Sequence, residues 1–293
     1  MSVKSFWVNS PKVGKNIQIL DNKIHYIEHE GNDCVILLHG LGFSMFSMRN
    51  IYEELAKKGY GVIAIDLPGC GYSTMNQRQK FSVEYMTDVI CEFMKVLKID
   101  SAHFCGAAEG AIYSMCMSQL YPDRVKSLTL CSPGSMTNKY PFYYKQLITP
   151  MLGEILTGFI NRHRVSKFLK WIYFNKTKIT PSIERQTYEP FERKATRNWL
   201  LYLLRDYNDS AVYSHLYLIN CPVLLVWGEY DNAHPISMSE RLLNSIRRSS
   251  LETIKNVGHM AYEIRAELIV NYMEDKALKQ QNNELDNPTD EDL

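Results

Sequence analysis

The sequence predicts an α/β fold, a mostly parallel central sheet flanked by helices with a helical cap inserted into it. Three observations predict it. Strand-like and helix-like segments alternate over most of the chain. Several strand candidates, such as Cys34–Leu38 and Gly61–Ile65, are unbroken apolar runs, the pattern of strands buried on both faces. The alternation stops from Asn138 to His215, where the pattern is aromatic and helical, and resumes at Pro222.

The elements follow in order. Ile17–Leu20 and Ile24–Ile27 are strands, and Asp21-Asn22 between them signals a hairpin turn. Cys34–Leu38 is a strand that ends in His39-Gly40-Leu41-Gly42. Met48, Ile51, Tyr52 and Leu55 mark the following helix. Gly61–Ile65 is a strand closed by Asp66-Leu67-Pro68-Gly69, and Val83, Met86, Ile90, Phe93, Met94 and Leu97 line one face of a long helix. Ala102–Cys105 is a short strand, Ala108–Leu120 a helix and Val125–Leu130 a strand. In the insertion, Leu147, Ile148, Met151, Leu152, Ile155, Leu156 and Phe159 recur at helical spacing. The last elements are the strand Val223–Trp227, a helix near Met238–Ile246, a strand near Leu251–Ile254 and a helix after Ala261. This divides the chain into a core of residues 1–137 and 216–278, a helical cap of 138–215, and a polar tail of 279–293 expected to be disordered.

Composition narrows the function classes. The 293 residues carry a formal net charge of +1, so no strong field favours nucleic acid or an anionic membrane. No apolar run approaches the ~18 residues of a membrane span, and no stable membrane insertion is expected. Met1–Gly14 lacks the apolar stretch of a secretory leader. The seven cysteines include Cys34, Cys105 and Cys131 within apolar runs, where they read as small buried hydrophobes. A reducing, cytoplasmic location is expected. There is no ligand cluster or phosphate loop, so no metal or cofactor is expected.

Ligands of open α/β sheets bind outside the carboxyl ends of the strands. Four strand-following segments stand there. His39-Gly40-Leu41-Gly42 can present backbone N–H groups to a ligand. Gly106-Ala107-Ala108-Glu109-Gly110 has glycines two residues either side of a central residue, which permits a tight elbow lifting that side chain to a helix N-terminus. Trp227-Gly228-Glu229-Tyr230-Asp231 offers a carboxylate, and Asn256-Val257-Gly258-His259 a histidine. A carboxylate can fix the tautomer of a histidine that acts as base. Singly, each segment reads as an ordinary turn; together, in the order elbow, acid, histidine, they carry far more weight.

With LLHGLG (Leu37–Gly42), DLPGCGYS (Asp66–Ser73), YPDRV (Tyr121–Val125), VWGEYD (Val226–Asp231) and NVGHM (Asn256–Met260), the sequence resembles the α/β-hydrolase superfamily from about Ile17 to Lys276. The resemblance implies that Asp231 is the triad acid and His259 the general base. It implies an oxyanion hole built from the backbone N–H groups of Leu41 and Glu109. It puts Gly106 and Gly110 at the elbow and the nucleophile position on Ala108, where family members usually carry serine, sometimes aspartate or cysteine.

A methyl group cannot attack a carbonyl. Loss of a serine nucleophile costs about 10⁶-fold in kcat, roughly 8 kcal/mol of barrier. Ser114 lies more than a turn further along the helix, Cys105 precedes the turn, and the Glu109 side chain is expected to point away from the nucleophile's direction. Three functions are compatible: a non-hydrolytic member that binds a small apolar molecule or a protein partner; a carboxylic-ester hydrolase whose serine was replaced by Ala108; and a lyase or cofactor-independent oxygenase that uses His259–Asp231 as a base. The cap aromatics Tyr140, Phe142, Tyr143, Phe159, Phe168, Trp171 and Phe174 suit an apolar ligand, or else pack the cap on the core, which is favoured. Arg162, His163 and Arg164 read as a solvated face.

Overall fold

The computed structural model describes residues 13–76, 81–134, 146 and 148–278. The strands are β1 (Lys15–Ile19), β2 (Asn22–His29), β3 (Asn32–Leu38), β4 (Tyr60–Ile65), β5 (Ala102–Ala107), β6 (Val125–Cys131), β7 (Val223–Gly228) and β8 (Ser249–Ile254). They form one sheet in the order β1-β2-β4-β3-β5-β6-β7-β8. The β1-β2 and β2-β4 pairs are antiparallel, and every pairing from β4 through β3 to β8 is parallel.

Helices cover both faces, as the unbroken apolar strands require. On one face lie α2 (Val83–Val96) and α3 (Glu109–Leu120), packed over Ile36, Leu38, Phe104, Leu128 and Leu225. On the other lie α1 (Arg49–Lys57) and the C-terminal helix α11 (Ala266–Met273), over Val35, Leu37, Cys105, Leu224 and Val226. Alternate residues of one strand thus feed opposite cores. The start of α2 is capped by Ser82, whose hydroxyl accepts from the Tyr85 N–H.

Between β6 and β7 the described residues contain no strand. They form α4 (Leu152–Gly158), α5 (Arg162–Ile172), α6 (Pro181–Tyr188), α7 (Lys194–Asp206) and α8 (Ser210–Ser214). Asn161 and Thr180 cap α5 and α6 through their side chains, and Pro181 opens α6 where its missing N–H costs nothing. β7 is followed by α9 (Ser239–Ser245), and α10 (Ala261–Ile264) precedes α11.

Three expectations change. The hairpin turn is Leu20-Asp21, with Leu20 at φ +49°, and Asn22 belongs to β2. Asn22 is buried because its amide is satisfied: it donates to the Tyr85 hydroxyl at 2.7 Å and accepts from the Asn76 N–H at 3.2 Å. The helical pattern read from Leu147 to Phe159 is broken near its middle, for Met151 has φ +66° and α4 begins only at Leu152. The apolar spacing continues through that break, so periodicity alone cannot locate it. Finally, Phe159, Trp171 and Phe174 are exposed rather than buried against the core. Phe174 still ties the segment down by stacking on Tyr230, with ring centroids 4.3 Å apart. Tyr140, Phe142, Tyr143, the expected boundary at 137/138 and the tail from residue 279 lie outside the described residues.

Glu263 is one tether between the helical segment and the core. Its carboxylate accepts from the Arg49 guanidinium on α1 and from the Tyr173 hydroxyl just after α5, and its carbonyl accepts from Asn50 Nδ2 at 2.6 Å. The Glu263 carboxylate is buried and Arg49 partly so, and removal of the carboxylate strands the Arg49 charge. Glu263→Ala is therefore expected to destabilise by about 3 kcal/mol and Tyr173→Phe by about 1 kcal/mol. Urea unfolding of both variants checks the difference, and equal small losses would remove the tether.

The sheet also rests on a backbone contact with no room for a side chain. A Cβ on Gly110 would lie 2.2 Å from the Leu38 carbonyl oxygen, and one on Gly106 would lie 2.3 Å from the Gly110 carbonyl oxygen. Gly110→Ala is expected to cost about 3 kcal/mol in the same measurement, because backbone cannot yield as a flexible side chain can.

Candidate functional site

The parallel strands β3, β5, β6, β7 and β8 all end at one edge of the sheet, and the residues that follow them converge there. β5 turns into α3 at Ala108, whose φ of +50° and ψ of −111° are unusual for a residue with a Cβ. The Gly106 and Gly110 contacts just described permit that turn. The Ala108 N–H is satisfied by the Cys131 carbonyl of β6 at 3.0 Å. The elbow expected from the glycine spacing is present, and Ala108 is at its apex with a buried methyl group.

Asp231 and His259 meet by another close backbone approach. A Cβ on Gly228 would fall 2.2 Å from the Gly258 carbonyl oxygen, so the ends of β7 and β8 touch through glycine. His259 Nδ1 donates to Asp231 Oδ2 at 2.9 Å. Asp231 Oδ1 accepts from the N–H groups of Ala233 and His234 at 2.9 and 2.8 Å. Burial raises the Asp231 carboxyl, but the His259 charge and these donors outweigh it and hold it below the usual carboxylate range. Burial pulls the His259 imidazole down, yet the Asp231 carboxylate, its hydrogen bond and the Glu109 carboxylate carry it above the ordinary value. With Nδ1–H spent on Asp231, the free lone pair is on Nε2, as a base requires.

His234 was not singled out from the sequence. Its ring stands edge-on to His259 with centroids 4.9 Å apart, Nδ1 donates to the Ser132 carbonyl at 2.8 Å, and its own carbonyl accepts from Trp227 Nε1 at 2.7 Å. Burial pushes its pKa down to about 4, so the ring is neutral at pH 7 and walls His259 without competing for the proton. The only signal for it was its place three residues after Asp231, within one turn.

The loop after β3 is held by His39. The Leu67 N–H donates to its Nε2 at 3.1 Å, which leaves Nδ1–H to donate to the Gly40 carbonyl at 2.8 Å. Full burial keeps the ring neutral. Asp66, at the end of β4, serves as a second anchor, accepting from Met45 N–H, Tyr72 N–H and His25 Nδ1 at 2.8, 2.9 and 2.8 Å. Glu229, within the same motif as Asp231, accepts from the Asn256 N–H at 3.0 Å and so shapes the turn that carries His259.

The expectation for Glu109 is corrected. Its side chain does not turn away from the elbow. Oε2 accepts from the Leu41 N–H at 2.6 Å, because a buried carboxylate must find donors and the nearest free ones are on this loop. Ser114 is committed to the Gly110 carbonyl at 2.7 Å, and Cys105 is fully buried in β5. Neither offers a nucleophile to the elbow. Among the described residues no group of histidine, cysteine and carboxylate side chains could hold a metal ion.

A cavity abuts the site at Leu41 and Gly42. Its volume is about 330 Å³, and it runs under the helical segment between Ile160, Val165, Phe168, Phe191 and Leu200. Gln146, Arg164 and Thr187 are its polar lining residues. Of the described aromatics nominated from the sequence, Phe168 is the one on this lining; Arg164 is exposed, as read from the sequence, and also borders it.

A family model described as alpha/beta hydrolase fold matches residues 33–266. The chain is 25% identical over 252 residues to the uncharacterized hydrolase YugF of Bacillus subtilis (strain 168), covering 86% of this chain and 92% of that one. It is 27% identical over 265 residues to 2-hydroxy-6-oxononadienedioate/2-hydroxy-6-oxononatrienedioate hydrolase 2 of Pseudomonas putida, covering 85% and 89%. Among solved structures, Cfl2 from Burkholderia cenocepacia superposes with a TM-score of 0.81 at 18% identity, over 89% of this chain and 94% of that one. A serine-to-alanine mutant of the meta-cleavage product hydrolase CumD from Pseudomonas fluorescens IP01, complexed with acetates, superposes with a TM-score of 0.77 at 20% identity, over 91% and 99%. No helix among the described residues is long and apolar enough to cross a membrane. From strand order, elbow and family match together, the chain belongs to the alpha/beta hydrolase fold family.

Proposed function

We propose that this chain is a non-hydrolytic member of its family that binds a small apolar molecule beneath the helical segment, which acts as a cap. The observation that carries the reading is the methyl group of Ala108 at the elbow apex, where the family resemblance puts the nucleophile. Without an oxygen or sulfur there, no acyl-enzyme can form, and Ser114 and Cys105 are held elsewhere. The mainly apolar cavity of about 330 Å³ supports binding, since it lies in the size range of small-molecule sites. The relatives named above are hydrolases, so the reading makes this chain an exception to its neighbours' chemistry.

One observation favours a second reading. The His259–Asp231 pair keeps its 2.9 Å hydrogen bond, and a protein that only binds has no need of a base. A lyase or cofactor-independent oxygenase that uses this pair without a covalent step fits that feature, given a ligand with an acidic proton.

The unmodified chain is expected to hydrolyse short-chain nitrophenyl esters no faster than its His259→Ala variant, and to resist labelling by a fluorophosphonate. A neutral fluorescent probe such as N-phenyl-1-naphthylamine is expected to bind, and Leu200→Trp, which fills the cavity, to weaken that binding at least about tenfold. A burst of nitrophenol or covalent labelling of the unmodified chain would sink the reading. Turnover of a carbon acid that vanishes in His259→Ala would move the weight to the second one.

A further inference from the structure

Glu109 opens α3 and is 6% exposed. A carboxylate so deeply placed needs N–H donors, and it has them. The Leu41 N–H donates to Oε2 at 2.6 Å; burial pushes the Glu109 carboxyl above the usual carboxylate range, and this bond and the peptide N–H of Glu109 itself pull against that rise. These are the two groups that the family resemblance assigns to the oxyanion hole. The position is also near the elbow methyl: a Cβ on Gly40 would lie 3.1 Å from Ala108 Cβ and 3.5 Å from Glu109 Oε2, so methyl and carboxylate flank one point. The N-terminus of the twelve-residue α3 favours an anion there. Beside it, a void of about 10 Å³ lined by His39, Leu41, Glu109 and Tyr113 has room for at most one water.

We propose that Glu109 is the resident anion of this site: its carboxylate fills the oxyanion hole and excludes from it any oxyanion of a ligand. The hole is then an anion-binding site whose occupant is part of the chain. A molecule that enters from the cap cavity must be one that makes no claim on those N–H groups, a neutral molecule without a carboxylate at that end. The identity of the ligand rests on the binding reading above; the occupancy of the hole does not. Hydrolysis is blocked twice, by the methyl group at 108 and by the filled hole, and restoration of serine alone does not undo the second block.

The test compares the unmodified chain with Ala108→Ser, Glu109→Ala and the double variant on nitrophenyl butyrate. Ala108→Ser alone is expected within about tenfold of the unmodified chain, and the double variant at least 100-fold above it, the worth of an oxyanion-hole donor. Glu109→Gln in the Ala108→Ser background keeps an acceptor in the hole and is expected to gain nothing. A readout independent of turnover uses the chain with Ala108 retained, by NMR titration of the His259 imidazole. Glu109 helps hold that pKa up, so it falls in both Glu109→Ala and Glu109→Gln. Acetate at tens of millimolar refills the emptied hole and raises it again in Glu109→Ala, with no effect in Glu109→Gln. Should Glu109→Ala fail to fold, Glu109→Ser takes its place.

Ala108→Ser as active as the double variant, or a His259 titration in Glu109→Ala that acetate leaves unchanged, would overturn the proposal. Acetate rescue with no hydrolysis by either serine chain supports the filled hole and instead defeats the placement of the family's nucleophile at position 108.

Discussion

The site depends on backbone touching backbone where a side chain would not fit. At the elbow, Gly106 and Gly110 bring β5, the start of α3 and the end of β3 to within atomic contact. At the far side, Gly228 and Gly258 do the same for β7 and β8. Each contact is a few atoms wide, yet between them they decide where Ala108, Asp231 and His259 stand. The helices and the two apolar cores supply most of the favourable free energy, but they tolerate small repacking; glycine against a carbonyl oxygen does not.

Around that frame the polar groups settle by a single rule, that a buried donor or acceptor must be matched. His39 bridges β3 and β4 by donating at one nitrogen and accepting at the other. Asp66 collects three donors from three segments. Asp231 spends one oxygen on its own turn and the other on His259. Glu109 obeys the same rule. A buried carboxylate adjacent to the elbow takes the N–H of Leu41, which lies within its reach.

Much of this was legible in the sequence, for reasons that can be stated. Cys34–Leu38 and Gly61–Ile65 read as buried strands because a parallel sheet covered on both faces demands unbroken apolar runs. Ala108, Asp231 and His259 could be placed because each follows a strand of the alternating pattern and glycine spacing marks the turns. Asn22 was misplaced because an asparagine is a turn signal by frequency, whereas here Tyr85 and Asn76 satisfy its amide in the interior. The break at Met151 was invisible because an apolar residue at positive φ leaves the spacing intact. The direction of the Glu109 side chain depends on which N–H groups lie within reach across 68 residues of sequence, a matter no local pattern encodes. His234 was hidden for the same reason, its partner Ser132 being 102 residues away.

The φ of +50° at Ala108 has an evolutionary side. A strained backbone at an active centre is readily taken as something maintained for the sake of the reacting group. Here the strain persists under a side chain that reacts with nothing, because it belongs to the joint between strand and helix and is imposed by the glycines around it. The bend can therefore outlast the chemistry of the side chain it carries. Chemistry in such a scaffold would need more than one substitution, on a backbone already bent to receive it.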